Sequence, residues 1–224
     1  MIDGFVFDMD GVLYDTERLC NICFLKVGSQ YGVDSVVMND LMFACVGLNA
    51  VATKDKFLSV LGEKFPYDKF CEEWRAEVRS IIIEQGLPVK KGAYMLLEYL
   101  KTNRYPVALA TSSSKNSTMS HLEQSKMKDY FSAIVTGDMV SKCKPDPEPY
   151  LTACKLLNIN PGRSVAIEDS PNGLKSAKVA GLKTIMVEDQ IPYTDDLAPY
   201  VDIKFNSLTD VLEVMRKNEL FNTL

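Results

Sequence analysis

Short apolar runs recur along the chain, each stopping abruptly at a polar residue and each followed by helix-forming sequence. Phe5-Val6-Phe7 runs into Asp8, Val107-Ala108-Leu109-Ala110 into Thr111, Ala133-Ile134-Val135 into Thr136, and Val165-Ala166-Ile167 into Glu168 and Asp169. Strands that are apolar without alternation need cover on both faces, and strands that alternate with helices indicate a parallel sheet sandwiched between helical layers. Residues 183–187 and 201–205 read as two further strands, and 208–215 as a closing helix. Two helix starts are marked by a capping side chain directly before a proline, Ser170 before Pro171 and Asp146 before Pro147. Proline suits the first helical position because its missing N–H is not needed there.

Between residues 15 and 87 this pattern vanishes and apolar residues recur at helical spacing, with helices expected near 16–31, 50–61 and 67–85. The expected architecture is therefore α/β, a parallel-sheet core built from 1–14 and 88–224 with a helical insertion over 15–87 as a candidate lid. Hinges are expected at 13–16 and at 85–90, the latter containing Gly86 and Pro88.

Composition narrows the class. The chain has 224 residues, 46% hydrophobic and 25% charged, ordinary values for a globular protein. No apolar run approaches the roughly 20 residues of a membrane span, and the expectation is a soluble, cytoplasmic protein, monomeric, with no membrane partner. A net charge of −5 argues against nucleic acid as a partner, which calls for a basic stripe. The six cysteines read as reduced thiols; Cys20 and Cys23 form a CxxC, but no second pair completes a zinc site.

The polar residues that end the strands carry the chemistry. In an open parallel sheet, ligands bind beyond the carboxyl ends of the strands. That edge would collect Asp8, Thr111, Glu168 and Asp169, with Lys144 in reach ahead of the helix that Asp146 caps. Buried ionised carboxylates are costly without a cation, and clustered carboxylates suit a hard, oxygen-seeking ion such as Mg2+. With Mg2+ and Lys144 screening repulsion, Asp8 can attack phosphorus as a nucleophile, and Asp10 can protonate the leaving oxygen and then deprotonate water. Gly11 permits a sharp turn after Asp10, and amides at the helix start beyond Thr111 can bind phosphoryl oxygens. A calcium loop counted from Asp8 fails, since its sixth position is Leu13 and its twelfth Leu19. His121, the sole histidine, falls on an expected helix and reads as a packing or surface residue.

Asp8-Met9-Asp10-Gly11-Val12, then Thr111, then Lys144-Pro145-Asp146, then Glu168-Asp169-Ser170 resemble, in order, the four motifs of the haloacid dehalogenase-like superfamily. The resemblance spans essentially the whole chain and is strongest to the beta-phosphoglucomutase-like and phosphatase branch. It implies a Rossmann-like core with a helical cap, Mg2+ as cofactor, Asp8 as nucleophile and Asp10 as acid and base. It also implies phosphoryl contacts from Thr111 and Lys144. The implied metal ligands are Asp8, the Asp10 backbone carbonyl and Asp169, with Glu168 ligating or orienting a bound water. Dehalogenation is not implied, because the dehalogenases lack the second aspartate. Ser112, Lys115 and Asn116, beside the second motif, are further substrate-binding candidates, and Lys142 is a weaker competitor for Lys144 since it does not directly precede Pro145.

The reading that results is an Mg2+-dependent phosphatase acting on a small phosphorylated metabolite, a sugar phosphate or similar compound, through an aspartyl phosphate. The alternatives are a sugar phosphomutase using the same intermediate and a non-catalytic metal- or phosphate-binding protein. Related mutases carry a histidine after the first motif and an arginine in the cap, where this chain reads Leu19-Cys20-Asn21 and Gly47-Leu48-Asn49. In the insertion, Asn49, Lys54 and Arg75 are candidate substrate contacts, each with a solvated face as its plainer explanation.

Overall fold

The computed structural model describes residues 2–45, 48, 50–217 and 220. The chain divides into two compact units, one made of Met1–Thr16 with Leu87–Leu224 and the other of Glu17–Gly86. The first unit is an α/β domain with six parallel strands, β1 (Gly4–Phe7), β2 (Val107–Ala110), β3 (Ala133–Val135), β4 (Ser164–Glu168), β5 (Lys183–Val187) and β6 (Ile203–Phe205). Their order is β3-β2-β1-β4-β5-β6, so the chain winds outward from β1 on one side and then returns to start again beside it. The reversal opens a crevice at the carboxyl end of β1.

Although β1 and β2 are apolar throughout and β4 is apolar between Ser164 and Glu168, the two faces of the sheet differ. Phe5, Phe7, Leu109, Val165, Ile167 and Ile185 join one buried layer with Leu96, Leu97 and Leu100 of α5 (Ala93–Thr102) and Val211, Leu212 and Met215 of α9 (Leu208–Arg216). Val6, Ala108, Ala110, Val135 and Ala166 face the other layer, with Tyr150, Ala153 and Cys154 of α7 (Glu148–Leu157) and Ala177 of α8 (Pro171–Val179). The alanines on that face leave room for the phenol of Tyr150 beneath the sheet, where it is fully buried.

The second unit is helical: α1 (Thr16–Gln30), α2 (Ser35–Cys45), α3 (Ala50–Leu61) and α4 (Tyr67–Gln85). Its own core is aromatic, with Phe24 edge-on to Phe57, Phe70 and Trp74 at ring-centroid distances of 5.9, 5.4 and 5.3 Å. The Trp74 indole N–H donates to the Cys20 carbonyl at 2.8 Å. Cys23 of the CxxC is a buried thiol on α1. Three of the four helices match the sequence expectation, and α2 does not. Its apolar residues lie all round the axis and begin with Val36-Val37, so no single stripe marks it, although Asp34 accepts the Val36 amide at 2.8 Å.

Where the chain leaves and re-enters the α/β unit, the two crossing segments pair. Asp15 N–H donates to the Pro88 carbonyl at 2.8 Å and Lys90 N–H to the Leu13 carbonyl at 2.9 Å. The Lys90 ammonium pairs with the buried Asp189 carboxylate and lies 3.7 Å from Asp15. Two boundaries differ from expectation. Helix α7 starts after Pro147, with Asp146 accepting the Glu148 amide at 3.0 Å, and the last strand begins at Ile203 because 195–200 coil into a 3-10 turn.

Gly92 ties α5 to α9. Its φ is +92°, and a Cβ there would stand 2.6 Å from the Thr209 amide nitrogen. Gly92→Ala should cost about 2 kcal/mol from left-handed backbone strain and overlap together, lowering the melting temperature by roughly 4–8 °C for a chain of this length. An unchanged thermal midpoint would refute this packing role.

Candidate active site

Asp8 emerges where β1 ends. Its amide still donates to the Ile167 carbonyl at 3.0 Å, and since Phe7 pairs with Ile167, Asp8 lies level with Glu168 at the end of β4. Into this pair reaches Lys144, with Nζ 2.5 Å from Asp8 Oδ1 and 2.6 Å from Glu168 Oε1. Its side chain is only 5% exposed, so the ammonium has given up water for two carboxylates.

Glu168 is fully buried and saturated. Besides Lys144, its Oε1 accepts the Tyr150 hydroxyl at 2.7 Å, while Oε2 accepts the amides of Asp169 and Ser170 and the Ser170 hydroxyl at 3.1, 3.2 and 3.0 Å. The start of α8 passes directly over this carboxylate, since a Cβ on Gly173 would fall 1.7 Å from Oε1. Asp169 is also buried and presses against the turn after Asp10. A Cβ on Gly11, whose φ is +83°, would lie 2.1 Å from Asp169 Oδ2, so glycine is needed there for both conformation and space.

Carboxylate oxygens of Asp8, Glu168 and Asp169 come within 4.8 Å of one another, all three residues buried. Among the described residues Lys144 is the ammonium paired with this group, bridging Asp8 and Glu168, and three clustered carboxylates fit a divalent, oxygen-seeking cation. Glu168 has committed both oxygens to donors of the chain, so Asp8 and Asp169 could ligate the ion directly with Glu168 in support. Burial pushes the Asp8 carboxyl up to about 8; Lys144 pulls it back and Glu168 pushes it up again. Burial alone would lower Lys144, but Asp8 and Glu168 outweigh it and hold its pKa above the usual lysine range. Tyr150 is raised by burial and by Glu168, which keeps its phenol a donor.

The Asp10 carboxylate stands outside this group of three. Its Oδ1 accepts the Thr16 hydroxyl at 2.7 Å and its Oδ2 the Ser113 hydroxyl at 2.8 Å. Thr111 is buried at the end of β2, with its amide bonded to the Val135 carbonyl and its Oγ1 accepting the Ser113 amide, each at 3.0 Å. Beyond it, α6 (Lys115–Gln124) starts with Ser114 as its cap. Several amides expected to meet phosphoryl oxygens are already engaged: that of Lys115 donates to Asp138, and that of Ser117 to Ser114. Ser112, Lys115 and Asn116 are exposed around this turn.

Lys142 lies on the surface 3.6 Å from Asp146, and Lys144 is the lysine in the cluster. In the helical unit, Lys54 pairs with Asp68 at 2.6 Å and Arg75 is exposed. Asn49 and Gly47 lie outside the described residues. His121 is half buried on α6, edge-on to Tyr14 at 5.7 Å, and burial lowers its pKa. The sequence reading missed Thr16, Ser113, Tyr150 and Gly173. Hydroxyls beside the motifs were the only available signal for the first two, and nothing local distinguished Tyr150.

The model of the family described as haloacid dehalogenase-like hydrolase matches residues 5–187. The chain belongs to the haloacid dehalogenase-like hydrolases. Among relatives of this family, it is 33% identical to the phosphorylated carbohydrates phosphatase of Thermotoga maritima, over 82% of this chain and 84% of that one. It is 29% identical to hexitol phosphatase B of Escherichia coli, over 92% of each. A solved structure from Thermotoga maritima, of a protein provisionally named a beta-phosphoglucomutase, superposes with a TM-score of 0.82 at 28% identity, covering 96% of this chain and 99% of that one. The family's members include phosphoric monoester hydrolases, and this chain is similar to the two named here over 82% and 92% of its length.

Since the folded protein favours protonated Asp8, the stability this group contributes is complete below about pH 4 and is lost as pH rises toward 8. In metal-free buffer the native melting temperature should therefore fall between pH 5 and 8 more steeply than that of Asp8→Asn, which leaves Lys144 paired with Glu168. Mg2+ should raise the native midpoint at pH 8 and leave that of Asp8→Asn nearly unmoved. Parallel pH profiles for the two proteins would contradict this account of Asp8.

Proposed function

We propose that this hydrolase is an Mg2+-dependent phosphatase of a small phosphorylated metabolite, a sugar phosphate or similar monoester. The observation that carries the reading is the buried group of Asp8, Glu168 and Asp169 with the ammonium of Lys144, at the point where strand order reverses. The names of the two curated relatives, phosphatases of phosphorylated carbohydrate and of hexitol, support the substrate class.

Asp8 is the proposed nucleophile. Its carboxylate forms a bond to phosphorus as the ester P–O bond breaks, and the alcohol departs with the proton held by Asp10. Water then attacks phosphorus, returns a proton to Asp10 and breaks the Asp8–phosphorus bond, which restores both groups. Lys144 holds Asp8 in place and offers its positive charge to the transferred group. Bound Mg2+, held by Asp8, Asp169 and the Asp10 backbone carbonyl with Glu168 in support, would neutralise charge developing on the phosphoryl oxygens. Thr111 and the loop that follows it, with Ser112, Lys115 and Asn116, are the proposed remaining contacts to substrate. The insertion over 15–87 is the proposed cap that selects it.

The phosphomutase reading has one specific support, the provisional name of the similar Thermotoga maritima structure. A mutase returns the phosphoryl group to a second hydroxyl, whereas a phosphatase releases it. With Mg2+ and a panel of sugar monophosphates, free phosphate should appear without a bisphosphate activator. Chelator should abolish release and added Mg2+ restore it. Asp8→Asn should lose about 1,000-fold or more while remaining folded. Fast interconversion of glucose 1-phosphate and glucose 6-phosphate with negligible phosphate release would establish the mutase instead, and full turnover by Asp8→Asn would remove the mechanism.

A further inference from the structure

Asp10 stands on the turn after β1, where a carboxylate free to rotate would face a reacting ester only part of the time. Two hydroxyls restrain it, one on each oxygen, Thr16 at 2.7 Å and Ser113 at 2.8 Å. Each hydroxyl has a single proton and gives it to Asp10 here, and each Asp10 oxygen keeps a further lone-pair direction for the reaction.

The backbone beneath Ser113 is itself pinned. Its amide donates to Thr111 Oγ1 at 3.0 Å, and its carbonyl accepts the Gly137 amide at 2.9 Å. That second bond requires glycine, because a Cβ at 137 would stand 2.4 Å from the Ser112 carbonyl oxygen. Thr111 is anchored in turn by its bond to Val135 of β3. The hydroxyl of Ser113 is therefore presented to Asp10 from a loop tied to two strands' ends, a construction unnecessary for a solvated serine.

We propose that Ser113 is a positioning residue for proton transfer by Asp10, acting on departure of the leaving alcohol rather than on grip of the phosphoryl group. The inference rests on the phosphatase reading above. In the first half of the reaction the Asp10 proton passes to the ester oxygen as the P–O bond breaks, so the orientation of Asp10 matters most when that oxygen is a poor leaving group. An ester whose oxygen leaves readily as an anion depends little on it.

The test compares native protein, Ser113→Ala and Ser113→Thr on phenyl phosphate and p-nitrophenyl phosphate with saturating Mg2+. Phenol, with a pKa of about 10 like the tyrosine side chain, needs protonation far more than nitrophenol does. The quantity to compare is kcat/KM, which reports steps through loss of the leaving group and not the later hydrolysis of the phosphoenzyme. Ser113→Ala should lose about 10-fold on phenyl phosphate and much less on p-nitrophenyl phosphate, and Ser113→Thr should recover most of the loss. Equal losses on both substrates would mark a phosphoryl-binding or folding defect and overturn the proposal, as would no loss on either. Native protein that releases phosphate neither from these esters nor from any sugar monophosphate would instead overturn the phosphatase reading, and this role with it.

Discussion

One electrostatic constraint organises the α/β unit: carboxylates of Asp8, Glu168 and Asp169 cluster, buried, at the crevice of a parallel sheet, and the ammonium of Lys144 bridges the first two. Lys144 reaches both Asp8 and Glu168, and its burial is tolerable only because two partners share it. The surrounding structure serves that arrangement. Tyr150 donates to Glu168 from beneath the sheet, Ser170 and two backbone amides donate from the start of α8, and Gly173 keeps that helix turn clear of the carboxylate. Glu168 is thereby fixed, and through Lys144 it fixes Asp8 beside it.

The same crevice places two carboxylates only two positions apart in sequence in different surroundings. Asp8 lies in the low-dielectric group with Lys144, whereas Asp10 turns away to two hydroxyls and is partly open to solvent. Gly11 makes this divergence possible by adopting a positive φ and by leaving room for Asp169. Such different surroundings suit the roles proposed for them, Asp8 as nucleophile and Asp10 as proton carrier.

Each unit carries its own core. The helical unit is held by Phe24, Phe57, Phe70 and Trp74, and the α/β unit by two layers that sort the strand residues by size. An insertion with its own core can be accommodated between β1 and α5 without interrupting the sheet. At the crossing, the short pairing of 13–15 with 88–90 closes the gap in the backbone, with Lys90 and Asp189 beside it.

Much of this was legible in the chain. Apolar runs ending at Asp8, Thr111, Thr136 and Glu168 pointed to parallel strands and to the polar residues at their ends, because a strand covered on both faces is apolar at most of its interior positions. The order of the motifs determined the family. The helix α2 was not legible, since exposed apolar residues such as Val36 and Phe43 surround its buried Met38 and Leu41 and erase the stripe by which a helix is read. Nor were the partners of the site. Tyr150 beneath Glu168, Ser113 against Asp10 and Gly173 over Glu168 are contacts between segments distant or differently oriented in the chain. The sequence by itself narrowed the candidates to groups that carry charge or a nucleophilic atom, because residue type sets what chemistry a side chain can offer. Only the tertiary structure decided which of them share a proton, a cation or a hydrogen bond, because those depend on distances of a few ångströms set by packing.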